Sequence, residues 1–226
     1  LIRDEEETKA FCPNQSGCPT QIKSKLVHFL SRKAMNVIAG DATIEQLYNK
    51  GLVLNVADFY ELTKDHLLTL EGWKERSADR FLKSLQESKK VTFDRVLYAL
   101  GIRYVGETTA KSVAKHFGNI DAIADTSLED LLNVEDVGQV IAESIFEFFK
   151  DESNQEIIAR LKAAGLQFEM VKSDEKLSDS LAGKTIVISG NFSISRDDMK
   201  ALIVAHGGKN SGSISGKTSY LIAGEK

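Results

Sequence analysis

The chain has 226 residues, of which 42% are hydrophobic and 27% are charged, and its formal net charge is −4. These values are ordinary for one large or two smaller folded domains, and they exclude the disordered and fibrous classes. No apolar run reaches the roughly 20 residues that span a bilayer, and the acidic start is unlike a signal peptide, so we expect a cytoplasmic protein without a membrane partner. The negative charge means that any binding to nucleic acid must be local.

Two cysteines, Cys12 and Cys18, stand near the N-terminus in a segment with proline, asparagine and glycine between them. Two cysteines do not make a disulfide framework, which favours a reducing compartment. Thiolates in such a knuckle supply half of a tetrahedral zinc site, which needs four ligands. His28 lies in an apparent helix, where a packed or solvent-facing histidine is a better interpretation than a ligand. The sequence therefore predicts an incomplete zinc site at Cys12 and Cys18.

The middle of the chain contains an internal repeat. The segments LEGWKERSADRFL, IRYVGETTAKSVA and VEDVGQVIAESIF begin at Leu70, Ile102 and Val134, a spacing of 32 residues. Each copy runs from an apolar residue through a short turn to an alanine, and an amphipathic stretch precedes it. A poorer copy, VIAGDATIEQL, aligns Gly40 with Gly106 when one turn residue is deleted. Such spacing indicates repeated units of helix, tight turn and helix.

These turns follow the helix-hairpin-helix pattern, in which the turn reads apolar-x-Gly-x-Gly. The first N–H groups of the second helix are unpaired and the helix dipole adds positive potential, so a DNA phosphate fits there without any base being read. Glycine permits close approach, and we expect a β-branched residue at Gly106 to block it and to strain any positive φ there. The alternative is a set of plain αα-hairpins, whose turns also favour glycine. Repetition in register favours nucleic-acid binding.

The copies differ in local charge. The formal charge of lysine, arginine, aspartate and glutamate is +2 around the second turn (71–90) and +2 around the third (94–115). It is −5 around the fourth (129–150). Attraction to phosphates therefore favours the second and third hairpins, and we expect the fourth to be a scaffold or to contact DNA only through its turn backbone. Thr108 and Thr109 are expected to offer hydroxyl groups. The candidate DNA-binding residues are Gly40, Gly72, Lys74, Arg76, Arg103, Gly106, Thr108, Lys111 and Gly138.

The composition changes after the hairpins. A charged linker at 172–180 leads into LAGKTIVISGNF, whose β-branched alternation ending in glycine predicts a strand and a turn. SRDDMKALIVAHGGK predicts an amphipathic helix with Ser195 as its N-cap and with Gly207 and Gly208 at its end. SISGKTSYLIAGEK supplies two more short strands. We expect a half-sheet with an exposed face and edge, which is unstable alone.

The motifs together resemble a known family. C-x5-C-P-x-Q followed by HF-x-SR-x-AM, and then LEGWKERSA and GIRYVGETTAK, is similar to the C-terminal portion of bacterial NAD-dependent DNA ligases. LxGKTxVxSG, a helix ending in GGK, and KTSYLIxG resemble the first half of a BRCT domain. The resemblance implies a mainly α fold: a tandem helix-hairpin-helix domain with a small N-terminal zinc-knuckle segment and a truncated α/β BRCT module at the C-terminus.

The domain boundaries follow from that resemblance. They are the tail of a preceding domain at 1–9, the zinc-finger half at 10–30, four hairpins at 31–171, the linker at 172–180 and the BRCT half at 181–226. The resemblance also implies that all four zinc ligands are cysteines, with an earlier pair outside this chain. Ser189 stands where some BRCT domains contact a phosphopeptide, and we interpret it instead as a polar residue that ends a strand.

The resemblance implies a function for the whole enzyme. It would seal nicks in replication and repair with NAD and magnesium as cofactors, in the bacterial cytoplasm close to the nucleoid. This part would bind duplex or nicked DNA through the sugar-phosphate backbone, with the remaining ligase domains in cis. No K-x-D-G adenylation motif occurs in the sequence, so we expect no activity from the chain alone. A non-enzymatic helix-hairpin-helix subunit for repair or recombination and a BRCT-based interaction scaffold remain as alternatives.

Overall fold

The computed structural model describes residues 2–3, 10–11, 17–170, 178–190, 192 and 196–224. The described residues up to Met170 form one compact unit, and those from Ser178 onward form another. The first unit is helical apart from a short antiparallel pairing of β1 (Ile2–Arg3) with β2 (Ala10–Phe11) and one isolated bridge. Within the described part of the chain, no helix is long and apolar enough to cross a membrane. The mainly α fold predicted from the sequence is confirmed.

Four pairs of packed helices, here called the first to fourth hairpins, make up most of the first unit. The pairs are α1 (Pro19–Leu30) with α2 (Asp41–Asn49), α3 (Lys64–Leu68) with α4 (Glu75–Ser88), α5 (Phe93–Ala99) with α6 (Glu107–Phe117), and α8 (Leu128–Leu132) with α9 (Gln139–Lys150). The other helical elements are a 3₁₀ helix (Val56–Glu61), α7 (Ile120–Ala124) and α10 (Glu152–Ala163). The repeat predicted from the sequence is present in all four copies.

The first hairpin begins earlier in the chain than the sequence pattern indicates. Helix α1 starts at Pro19, and its residues Leu26, Phe29 and Leu30 are buried in the same core as the other hairpins. Residues 19–30, which the motif grouped with the cysteine segment, are therefore the first helix of the first hairpin. The proline at the first helical position lacks an N–H that a helix start leaves unpaired in any case, so it fits there without cost.

Each hairpin closes on one buried residue at the start of its second helix. Ile44, Ala78, Ala110 and Ala142 occupy this position, four residues after the helix N-cap, with exposed fractions of 2% or less. The amide of each donates to the N-cap carbonyl at 2.9–3.3 Å. Three of the four are alanines, and a side chain of that size lets the two helix backbones approach closely. Burial of this residue holds the start of the second helix at the turn.

Polar side chains connect neighbouring hairpins in an equivalent way. The side-chain oxygen of Gln46 in α2 accepts the amide of Glu71 in the second turn at 3.0 Å. The hydroxyl of Ser144 in α9 donates to the carbonyl of Arg103 in the third turn at 2.8 Å. Gln46 and Ser144 both lie six residues after their N-caps. The first hairpin is thus joined to the second as the fourth is joined to the third.

An ion-pair network joins α10 to the 3₁₀ helix. Arg160 donates to Asp58 at 2.6 Å and to Glu61 at 2.5 Å, and these hydrogen bonds raise the pKa of the Arg160 guanidinium. The Asp58 side chain is only 18% exposed, so this pair is less screened by water than a surface salt bridge. Asp58 also accepts the amide of Asn55 at 2.9 Å, so the network connects α10 to the N-cap of the 3₁₀ helix.

The second unit is a small parallel sheet with one helix. Strand β3 (Thr185–Ser189) lies between β4 (Lys209–Ser211) and β5 (Tyr220–Ala223), and α11 (Arg196–Ala205) packs against β4. The predicted order of strand, helix and two strands is confirmed, while the predicted cap Ser195 lies outside the described residues. Gly207 takes a φ of +83° directly after the helix, as expected for a helix-ending glycine.

Several large apolar side chains of this unit are exposed. Large apolar side chains that are at least 46% exposed are Leu202, Val204, Ile214, Tyr220 and Leu221. Ser189 is exposed at the last position of β3, in agreement with its interpretation as a polar residue that ends a strand. The strand ends approach so closely that a Cβ at Gly190 would lie 2.7 Å from the Gly224 carbonyl oxygen.

Candidate nucleic-acid interface

The turns of the last three hairpins share one backbone conformation. Gly72, Tyr104 and Asp136 all have positive φ angles, of +78°, +64° and +65°. In each case the next residue donates its amide to the carbonyl three residues earlier, at 3.1–3.3 Å. The N-cap of the second helix then stands two residues after the positive-φ residue. The first turn is longer, and its positive-φ residue is Asn36, at +54°. A left-handed residue therefore lies in the turn of every hairpin, and the third turn has a second one, Gly101, at +68°.

The glycines at the helix starts have a different role from the one expected. Gly40, Gly106 and Gly138 are N-caps with φ of −94°, −82° and −93°, which is extended backbone. A Cβ added at any of them would meet nothing within 4 Å. The expected strain at Gly106 from a positive φ is therefore wrong, because the left-handed step is taken at Tyr104. What remains at these glycines is an open surface over the helix N-terminus.

The second helices of the hairpins begin without a capping side chain. Within the described residues, no side-chain cap is made at the N-caps of α2, α6 and α9, nor at those of α1 and α5. Thr63, Asn119, Ser127 and Asp151 cap the starts of α3, α7, α8 and α10. In the second hairpin, Ser77 accepts the Lys74 amide at 2.9 Å. The first amides of the uncapped helices stay open toward solvent at exposed turns, which suits an anionic oxygen.

The structure groups the predicted site residues by hairpin. All nine are exposed: Gly40, Gly72, Lys74, Arg76, Arg103, Gly106, Thr108, Lys111 and Gly138. The start of α6 brings Gly106, Thr108 and Lys111 together, and the start of α4 does the same for Lys74 and Arg76. Thr109 is only 9% exposed, so the expectation of a second surface hydroxyl is wrong. Its position one residue after Thr108 turns it from the exposed face of α6 toward the core.

Two basic residues of the first turn lie beside the third hairpin. The ammonium of Lys33 is 3.1 Å from the Glu107 carboxylate at the start of α6, and this hydrogen bond raises the pKa of Lys33. Arg95 donates to the carbonyls of Arg32 and Lys33 at 2.7 and 3.1 Å. Arg32 and Lys33 were missed in the sequence analysis, although the Ser-Arg-Lys run before the first turn was a signal. The first and third turns therefore form one continuous exposed surface.

His28, Cys18 and Cys12 were considered as zinc ligands, and the structure describes the first two. His28 lies 2.9 Å from the Tyr98 carbonyl through Nε2, and its ring packs edge-on against Tyr98, as expected for a packed histidine. Cys18 is the half-buried N-cap of α1, and Cys12 lies outside the described residues. The described part of the chain brings together no group of three or more histidine, cysteine or acidic side chains able to hold a metal ion. The zinc half-site at Cys12 and Cys18 stays a prediction.

Comparison with known proteins assigns both units. Residues 95–158 match the model of the helix-hairpin-helix motif, and residues 176–226 match that of the BRCA1 C Terminus (BRCT) domain. The whole chain is 53% identical to a protein named DNA ligase from Parabacteroides distasonis, 49% to one from Phocaeicola vulgatus and 48% to one from Bacteroides fragilis. Over its whole length the chain is similar to these DNA ligases. It spans 34% of the length of each of these relatives and corresponds to their C-terminal part.

This similarity confirms the resemblance drawn from the motifs. The matched helix-hairpin-helix region begins within α5 and runs into α10, so it covers most of the third hairpin and all of the fourth. The relatives are named as ligases, which counts against the non-enzymatic repair subunit and the BRCT-based scaffold as separate explanations. The positions of the positive-φ residues could not be read from the motif, because it assigns that role to glycine.

We expect valine to act differently at two glycines of the hairpin turns. Gly72→Val places a β-branched residue at a φ of +78° and should lower the free energy of unfolding by about 1–3 kcal/mol. Gly106→Val occupies extended backbone with open space and should lower it by less than about 1 kcal/mol. Urea unfolding followed by far-ultraviolet circular dichroism measures both. An equal loss at the two positions would contradict the assignment of the left-handed step.

Proposed function

We propose that this chain is the DNA-holding part of a bacterial NAD-dependent DNA ligase and binds duplex DNA around a nick. It would do so through the sugar-phosphate backbone, with the remaining ligase domains supplied in cis. The observation that carries the proposal is the exposed start of α4 and of α6, where N-caps without a capping side chain stand near Lys74, Arg76 and Lys111. Such groups bind phosphate oxygens without reading bases, and a nick can occur at any sequence.

The third hairpin is the strongest candidate contact. Its N-cap Gly106 leaves room for a backbone to approach, and Thr108 and Lys111 lie on the same exposed start of α6. The second hairpin offers Lys74 and Arg76 at the start of α4. The local balance of +2 around each of these turns attracts phosphates, whereas the balance of −5 around the fourth repels them. We infer that Gly40 and Gly138 contribute backbone contacts at most.

The chemistry of nick sealing belongs to other parts of the proposed enzyme. Such a ligase adenylates its own lysine with NAD, transfers the AMP to a 5′-phosphate and joins that phosphate to a 3′-hydroxyl. The sequence contains no K-x-D-G motif, so we assign NAD and magnesium to the remaining domains. Zinc would need ligands beyond Cys12 and Cys18. A DNA substrate in a bacterium places the protein in the cytoplasm, at the nucleoid.

We expect Gly106→Val to weaken binding to a nicked duplex by about tenfold, since a contact to a charged group contributes about 1.5–3 kcal/mol. Gly138→Val is the matched control, because both glycines are extended N-caps with open space around a Cβ. It should change affinity much less, and neither variant should lose much stability. Fluorescence anisotropy with a labelled duplex measures the affinities. Equal losses would show that local charge is the wrong guide and that the hairpins bind as one symmetric surface.

Lys111→Ala should flatten the salt dependence of duplex binding. Loss of one phosphate contact reduces the slope of log affinity against log salt by about 0.9. Lys150→Ala is the control, since Lys150 ends α9 at the helix terminus away from the turn and stacks on Phe146 at 3.8 Å. Its slope should match that of the wild type. The same change of slope in both variants would argue for a diffuse rather than a localised contact.

The chain alone should form no enzyme–AMP adduct. After incubation with NAD and magnesium, intact-mass spectrometry should find the unmodified protein, because the adenylation motif is absent from the sequence. A full-length bacterial ligase treated in parallel provides the positive control. Detection of AMP on this chain would contradict the assignment of adenylation to the remaining domains.

A further inference from the structure

Polar contacts connect the pair of the first and second hairpins with the pair of the third and fourth, both at the turns and away from them. At the turns, Arg95 of α5 donates to the carbonyls of Arg32 and Lys33. Away from the turns, Arg160 of α10 binds the 3₁₀ helix. The 3₁₀ helix stands between the first and second hairpins in the chain, and α10 follows the fourth. The Arg160 network therefore links an element of one pair to an element of the other.

The guanidinium of Arg160 is held by three side chains of the 3₁₀ segment. Its Nε and one terminal nitrogen donate to Glu61 at 3.0 and 2.5 Å, and the same terminal nitrogen donates to Asp58 at 2.6 Å. The other terminal nitrogen lies 3.4 Å from Oδ1 of Asn55, the N-cap of the 3₁₀ helix. A guanidinium is planar and its donors point in fixed directions. These contacts therefore fix the orientation of α10 against the 3₁₀ helix as well as its distance.

Stability alone is a poor account of this network. The side chains of Arg160 and Asp58 are only 29% and 18% exposed. Withdrawal of two charges from water offsets much of their attraction, so apolar side chains of similar size would stabilise the fold about as well. Ile158 and Leu161 of α10 are already buried in the core. What the ion pairs add is a defined geometry between the two elements.

We propose that Arg160 is a positioning residue for duplex binding, which sets the angle between the two pairs of hairpins so that both meet one DNA backbone. This inference rests on the proposed function and assigns to Arg160 an action through the fold rather than by contact with DNA. Lys74 lies in the first pair and Lys111 in the second. A short duplex is stiff, so it can engage both only when the spacing of the pairs matches that of its phosphates. Without Arg160, the pairs can rotate about the contacts at the turns.

Loss of either charge of the network should weaken binding. Arg160→Gln removes a positive charge and Asp58→Asn removes a negative one, yet each should lower affinity for a labelled nicked duplex by about fivefold, as for mutations that act through the structure. The asparagine can still accept the Asn55 amide that Asp58 accepts at 2.9 Å, so the start of the 3₁₀ helix is kept. An effect of charge alone would have opposite signs, because loss of a carboxylate strengthens attraction to phosphates.

Lys162→Gln is the matched control. Lys162 lies on the same helix as Arg160 and has the same charge, but it pairs with Asp121 of α7, between the third and fourth hairpins. The variant should bind within about twofold of the wild type, as expected for an exposed ion pair. Arg160→Lys keeps the charge and can still reach one carboxylate, so it should recover part of the affinity that Arg160→Gln loses.

A salt titration distinguishes positioning from direct contact and from stability. When one pair of hairpins no longer engages, the slope of log affinity against log salt should fall by more than the contribution of a single phosphate, about 0.9. A direct contact of Arg160 with one phosphate would lower the slope by about that amount. A purely structural role would leave the slope unchanged. Binding is compared under conditions in which far-ultraviolet circular dichroism shows each variant to be folded, and Asp58→Asn and Arg160→Lys carry the comparison should Arg160→Gln unfold.

Three outcomes would overturn the inference and leave the proposed function intact. The first is wild-type affinity in Arg160→Gln and Asp58→Asn when Lys111→Ala is weakened. The second is a pair of opposite effects in Arg160→Gln and Asp58→Asn. The third is an equal loss in Arg160→Gln and Lys162→Gln, which would reflect net charge. If the wild-type chain bound no duplex at all, the proposed function would fail and the inference with it.

Discussion

A left-handed residue in the turn determines what each hairpin can present. The chain must leave a buried apolar residue, reverse, and start a second helix within a few residues. The positive φ at Gly72, Tyr104 or Asp136 accomplishes this reversal. The N-cap that follows can then be extended, and the buried residue four positions later holds the second helix against the first. The open amides at the turn are a consequence of that geometry, and the proposed grip on DNA depends on them.

The sequence predicted the architecture well because the repeat is carried by local signals. Alanines at the helix crossing and a fixed spacing of 32 residues predict the hairpins, and β-branched alternation predicts β3. The motif misplaced the strained backbone, since it assigns positive φ to glycine while Tyr104 and Asp136 take that conformation here. Conformation at a turn depends on the whole hairpin, which can impose strain on a residue whose own preference is different.

The site was predicted less completely, because its remaining parts depend on contacts between distant segments. The pair of Lys33 with Glu107 joins residues of the first and third hairpins, and no local pattern indicates it. Burial of Thr109 depends on which face of α6 meets its neighbours, and a run of two threonines does not reveal that. Exposure of the basic side chains could be predicted, since Arg76 and Lys111 lie on the polar faces of amphipathic helices and Lys74 stands at a turn.

The overall charge of the chain conceals this arrangement. A net charge of −4 coexists with a surplus of basic residues at two turns, and an acidic fourth hairpin accounts for much of the difference. A duplex that approaches such a surface is attracted to some turns and repelled from others, so charge can orient the duplex before any close contact forms. The joined first and third turns then offer one continuous surface for the backbone to follow.

The bonds between hairpins use backbone atoms of the turns, and this frees the side chains there to diversify. Gln46 holds the amide of Glu71, and Ser144 holds the carbonyl of Arg103, at the same position of two turns. Glu71 and Arg103 carry opposite charges, yet the two pairs of hairpins are joined in the same way. Mutation can therefore alter the charge of a turn without breaking the hydrogen bonds between hairpins. In evolutionary terms, the hairpin array separates the residues that hold it together from those on which selection for a ligand can act.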